Sequence, residues 1–227
     1  MQRHFDEELQ DLKGAVMRMA SLARQALMKA VEALKGRDPA AAREVMGSDA
    51  ELDALELEID ERCLDLIARH QPMARDLRFI TTAIRLNAEL ERIGDLAVDV
   101  AQRALDLSGK PLLKPLVDIP RLAELAARMT GEATEAFVNG DAELARKVVL
   151  SDPEADGLKR AVEKELVEDY MMKDGSTADR AVPLLLAARH LERVADHAVS
   201  MAEDIIYMVE ARVVRHRPGE LGKRPEK

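Results

Sequence analysis

Tryptophan is absent, and three phenylalanines and two tyrosines are the only rings of their kind in 227 residues. A core assembled around large aromatic side chains is therefore excluded, and aliphatic packing must carry the fold. A single cysteine, Cys63, rules out an internal disulfide and reads as a reduced thiol of a cytosolic protein. Long hydrophobic runs are missing as well. In the second half the longest uncharged apolar stretch is Ala181 to Ala188, far short of the roughly 20 residues that span a bilayer. The start, Met1 to Glu8, is charged and lacks the apolar centre of a secretory signal. Basic excess is missing too: the net charge of −9 favours solubility and argues against nucleic acid as the main partner.

What remains is rich in Ala, Leu, Val, Met, Glu, Arg and Lys, a mixture dominated by helix formers. The expectation is an all-α protein. It is also a duplicated one. The stretch LERIGDLAV beginning at Leu90 returns as LERVADHAV at Leu191, an offset of 101 residues. Upstream, Asp38 to Leu55 returns as Asp141 to Leu158 at an offset of 103. Two echoes in the same order at nearly equal spacing describe a repeated unit of about 100 residues, too long for a solenoid repeat.

Apolar periodicity divides each unit into three helices. Leu9, Leu12, Val16, Met19, Ala23, Ala26, Ala30 and Leu34 form the first stripe, which Gly36 ends. Asp38 followed by Pro39 marks a cap and a restart. Ser48 to Glu51 has the capping-box pattern of a second helix running to His70, where Gln71 and Pro72 interrupt it. A third helix from Ala74 carries Leu86, Leu90, Ile93, Ala97, Val100, Ala104 and Leu107 on one seam. The second unit follows the same plan, with a helix over 122–137, one from Pro153 to Lys173 opened by the matching Ser151 pattern, and a last helix along Leu184, Ala187, Leu191, Val194, Ala198, Met201, Ile205 and Met208. The predicted architecture is two tandem homologous three-helix bundles: residues 1–108, a linker over 109–120, residues 121–212, and a flexible basic tail over 213–227.

Acidic residues recur one helical turn apart. Glu91 and Asp95 share a helix face, as do Glu192 and Asp196, and the second helices carry Asp49 with Asp53 and Asp152 with Asp156. Reflecting antiparallel neighbours about the turns near residues 72 and 174 sets residue n opposite 144 − n in the first unit and 348 − n in the second. Asp49 then faces Asp95 and Asp53 faces Glu91; Asp152 faces Asp196 and Asp156 faces Glu192. Taken singly, these residues are better explained otherwise, Asp49 and Asp152 by a helix N-terminus and Glu91 and Glu192 by arginines such as Arg92 or Arg85. The duplicated set of eight points instead to a cation with oxygen ligands. Asp99, whose counterpart is Ser200, and His197, a rim histidine, stay outside that set.

The paired signature L-E-R-[IV]-x-D-x-A, together with the Ala74-Arg75-Asp76-Leu77-Arg78 entry to the third helix, resembles the PhoU family of bacterial phosphate-uptake regulators. The resemblance covers Phe5 to Glu210. It implies multinuclear metal clusters, iron or zinc, on E(D)-x-x-x-D motifs, which Glu91/Asp95, Asp49/Asp53, Glu192/Asp196 and Asp152/Asp156 fit. It also implies a non-enzymatic negative regulator of the phosphate-starvation response. The implied partners are the phosphate ABC transporter ATPase subunit and a sensor histidine kinase, bound by a cytoplasmic homodimer that meets the inner membrane only through them. A carboxylate-based metal-storage protein is the alternative. A carboxylate-bridged di-iron enzyme would need Glu-x-x-His motifs, which the sequence does not contain.

Overall fold

The computed structural model describes residues 2–214, leaving aside the side chains of Gln2, Arg3 and Asp49. The charged tail from Arg215 onward, part of the predicted basic segment, lies outside the described residues. Among the described residues every regular element is helical: α1 (Gln2–Gly36), α2 (Pro39–Gly47), α3 (Asp49–His70), α4 (Ala74–Asp106), α5 (Asp118–Asn139), α6 (Ala142–Lys164) and α7 (Ala178–Glu210). The first unit is α1 to α4, with α2 a short lead into α3. The second is α5 to α7.

The shared plan follows from shared caps. Asp38 accepts from the amides of Ala40 and Ala41 at the start of α2, and Asp141 accepts from those of Glu143 and Leu144 at the start of α6. One expectation fails here. The second helix of the second unit does not open at Pro153 but at Ala142, and it runs through Pro153 without a break. Neither serine acts as a cap: the Ser48 hydroxyl donates to the Val45 carbonyl and the Ser151 hydroxyl to that of Lys147, each turned back onto its own preceding turn. The units differ one residue earlier, where Gly47 ends α2 and its counterpart Leu150 continues the helix. Beyond Lys164 the helix loosens into a π-helical segment over Glu165–Met171. The predicted linker is also shorter, since α5 begins at Asp118.

The seams read from periodicity are the core. Every named seam residue of α4 and α7 is buried, and α1 buries Leu12, Val16, Met19, Ala23, Ala30 and Leu34. The two units share that core. α1 packs on α4 and α5, and α7 packs on α4 and α5, making a central four-helix arrangement with α3 on one flank and α6 on the other. α4 and α7 run antiparallel, tied by Arg78 Nε donating to the Met208 carbonyl at 3.1 Å and by the Arg85–Asp204 ion pair at 2.8 Å. Phe79 and Phe137, from different units, stack with centroids 4.7 Å apart. The inter-unit connector is strapped down as well: the Arg37 guanidinium donates to the Leu107 and Lys110 carbonyls, and Lys114 pairs with Glu165.

Two acidic faces on the flanks

The first acidic face is built where α3 comes closest to α4. Gly94 is the reason it can: a Cβ placed there would lie 2.6 Å from Leu52 Cδ1. In the second unit the counterparts of Leu52 and Gly94 are Ala155 and Ala195, both buried, so bulk lost from one helix is restored on the other. Asn87 fixes the register. Fully buried in α4, it donates from Nδ2 to the Glu56 carbonyl and to Asp60 Oδ1 of α3, both at 2.9 Å. Asn87→Ala removes both bonds and leaves the half-buried Asp60 without its donor, so unfolding by urea should show a loss of about 1–3 kcal/mol.

These contacts place the helices two to three residues out of the predicted 144 − n register, because Leu52 meets Gly94 and Asp60 meets Asn87. The connector explains the slip. Gln71 is left-handed and Met73 extended, so the turn does not close symmetrically about residue 72. Asp53, Glu91 and Asp95 do share one face, joined by Glu56, which spacing by four had passed over. Position 56 is one turn beyond Asp53 on the same side of α3, and that is the signal that could have found it. Asp49 opens α3, and its side chain lies outside the described residues.

Charge crowding is the dominant property of this face. Glu91 is pushed up to about 7 by burial first, then by the Asp95 and Glu56 carboxylates and a hydrogen bond to Asp95. Glu56 is raised by burial and by Asp60, Asp53 and Asp95. Among the described residues, no lysine, arginine or histidine forms an ion pair with Asp53, Glu56, Glu91 or Asp95. Arg92 instead turns to Glu89 at 3.7 Å, and Arg85 to Asp204.

The second face shows a similar slip, since Lys159 meets Glu192 three residues out of the predicted 348 − n register. Asp196 is pushed up to about 6 by burial against the flanking helix and by Glu192, Asp152 and Asp156, and Asp152 is raised by burial and Asp156. Here two cations are already in place: Lys159 lies 3.7 Å from Glu192 and Arg160 lies 2.9 Å from Asp156. Asp99 and His197 make their direct contacts elsewhere, although the His197 imidazole opposes the upward shift of Asp196. They point into the α4–α7 seam, His197 against Glu89 at 2.6 Å and Asp99 against His190 at 3.5 Å.

As placed, no three acidic, histidine or cysteine side chains among the described residues are gathered tightly enough to chelate one ion. The donor chemistry of the first face nonetheless suits a hard or borderline cation: oxygen ligands only, half-buried at Glu56 and Glu91 and exposed at Asp53 and Asp95, crowded by like charge and without an ion-paired cationic side chain. The second face is a poorer match, because Lys159 and Arg160 already supply positive charge.

Among the described residues the molecule is all-helical and internally duplicated, with an acidic face on each flank. A sequence model of the PhoU domain matches residues 16–104 and again 119–205, one match to each unit. The phosphate-specific transport system accessory protein PhoU homolog of Aquifex aeolicus (strain VF5) is 39% identical over 211 residues, covering 93% of this chain and 95% of that protein. Its counterpart in Pseudomonas aeruginosa is 36% identical over 94% of this chain and 88% of its own length. The crystal structure of PhoU from Pseudomonas aeruginosa superposes with a TM-score of 0.86 at 35% identity, covering 92% of this chain and all of that one. The phosphate transport system regulatory protein PhoU from Streptococcus pneumoniae gives a TM-score of 0.85 at 26% identity, covering 92% of this chain and 99% of its own. The chain belongs to the PhoU family.

Proposed function

We propose that this chain is a non-enzymatic regulator of phosphate homeostasis. It holds the phosphate-starvation response and phosphate uptake down when phosphate is plentiful, by binding the ATPase subunit of the phosphate ABC transporter and a sensor histidine kinase. The observation that carries the reading is the family match across both units, whose relatives are named as accessory to phosphate-specific transport. The molecule's form supports it. Its output surfaces are long helix faces, and no helix among the described residues is long and apolar enough to cross a membrane. In this reading the working form is a cytoplasmic homodimer that meets the inner membrane through its partners. The buried Cys63 thiol, pushed up to about 12 by desolvation, offers no nucleophile.

Metal is part of this reading. Asp53, Glu56, Glu91 and Asp95, with Asp49, would hold iron or zinc on the first flank, and Asp152, Asp156, Glu192 and Asp196 are the corresponding set on the second. A bound cation would supply the positive charge that the first face lacks and tie α3 to α4. Storage of metal is the competing use of the same faces.

Deletion in the source organism separates the two. The regulatory reading expects starvation genes to stay on in phosphate-rich medium, and tagged protein to retain the transporter ATPase or the kinase from solubilised membranes in a phosphate-dependent manner. Normal repression in the deletion strain, with altered metal tolerance alone, would sink regulation in favour of storage.

A further inference from the structure

The two units present the same fold and the same paired carboxylates, yet one position on each flank is reversed in sign. The offset of 103 that sets Asp49 on Asp152 and Asp53 on Asp156 also sets Glu56 on Lys159 and Leu57 on Arg160. Glutamate to lysine changes the local charge by two, and leucine to arginine by one more. These substitutions lie within the acidic faces, where Glu56 is half-buried beside Asp53, Asp95 and Glu91.

Lys159 is also half-buried, with 23% of its side chain exposed, and its ammonium stands 3.7 Å from Glu192 and 3.6 Å from Glu163. Arg160 covers Asp156 at 2.9 Å. Glu163 is the counterpart of Asp60, which in the first unit is held by Asn87. Asn87 is replaced in the second unit by Ala188. So the first unit fixes its helix register with a neutral amide and gives its carboxylates no ion-paired cation, Arg92 acting on Glu91 only at longer range, while the second joins the same helices with a lysine that contacts a carboxylate on each.

We propose that Lys159 is a built-in counter-cation of the second acidic face, standing where Glu56 supplies a further carboxylate in the first, and that the two faces are therefore unequal: the first takes a metal cation, and the second is held by its own lysine and binds metal weakly. The proposal rests on the metal reading above. The physics is competition for one volume and one set of lone pairs. An ammonium within 4 Å of Glu192 occupies the side of the carboxylate that faces α6, and its charge opposes entry of another cation where screening by solvent is incomplete. Removal of one oxygen donor adds to this, since Lys159 cannot ligate a metal while charged. The expected difference between the faces is about ten- to a hundredfold in affinity.

The test uses the full chain, stripped with chelator and titrated separately with Zn²⁺ and Mn²⁺ by calorimetry, with anomalous scattering from crystals to place the ions. Wild-type protein should load the first face at least about tenfold more tightly than the second. Lys159→Glu should bring the second face towards the first, and Glu56→Lys should weaken the first. Melting of the metal-free protein gives a readout independent of metal and of the charge-reversal variants. There, Lys159→Met should lower the melting temperature by leaving Glu192 and Glu163 uncompensated, and Glu56→Gln should raise it. Equal affinities in the wild type, or a second face indifferent to Lys159→Glu, would overturn the inequality. Absence of metal from both faces in every variant would overturn the metal reading itself and the inequality with it. The counter-cation role of Lys159 then stands or falls on Lys159→Met alone, and an unchanged melting temperature refutes it.

Discussion

Replacing Gly94 with alanine is expected to lower the unfolding free energy by about 1–3 kcal/mol, a large effect for one added methyl group. The added carbon would meet Leu52 Cδ1 at 2.6 Å, and Leu52 is buried with only 4% of its surface exposed, so the contact has to be relieved inside the core. α3 must move outward or Leu52 must leave its rotamer. Leu52→Ala alone costs through lost burial and a cavity, about 2 kcal/mol or more. Together the two substitutions reproduce the Ala155 and Ala195 combination of the second unit, so they should compensate. A double-mutant cycle by urea denaturation should return a favourable coupling of at least about 1 kcal/mol. Strict additivity would mean that Gly94 is not the point of closest approach. Because Leu52 adjoins Asp53, and Gly94 adjoins Asp95, Gly94→Ala should also loosen any metal held on this face.

Much of this arrangement is legible in the sequence, for reasons that differ from element to element. The seams of α4 and α7 follow from spacing alone, because burial at 3.6-residue periodicity leaves a pattern that needs no knowledge of partners. The caps at Asp38 and Asp141 are equally local. The serine patterns at Ser48 and Ser151 mislead because a hydroxyl has two backbone uses, capping a helix or bonding back to its preceding turn, and flanking residues decide between them. Gly47 permits a break and Leu150 does not. Within the acidic faces, spacing by four finds Asp53, Glu91, Asp95 and their counterparts but passes over Glu56, which lies three residues past Asp53. Asn87 was legible in principle as a polar residue between the seam positions Leu86 and Leu90. The shared core between units was not: no local spacing encodes which helix of one bundle meets which of the other, and the Arg85–Asp204 and His197–Glu89 contacts join residues more than a hundred positions apart.

The charge crowding on the first face makes a prediction whose sign reverses with metal. In metal-free protein the Glu91 carboxyl, held near 7 by burial and by Asp95 and Glu56, binds its proton more tightly when folded than when unfolded. Its ionisation therefore opposes folding. That penalty is complete above about pH 7, and it vanishes as pH falls towards the ordinary carboxylate range near 4.3. Glu91→Gln removes the charge and keeps the shape, so with chelator present the variant should melt a few degrees above wild type at pH 8 and level with it at pH 5. Comparing the two proteins matters, because His190, lowered by burial, pulls the absolute stability the other way as pH falls, and it does so equally in both. Saturating zinc or iron should invert the order at pH 8: the wild type gains the binding free energy of its ion, whereas the variant has lost a charged ligand and gains less. A difference between the two proteins that ignores pH without metal would show that Glu91 is not crowded by its neighbours. A chelator-independent order at pH 8 would show that what relieves the crowding is solvent or rearranged side chains, and not a bound cation.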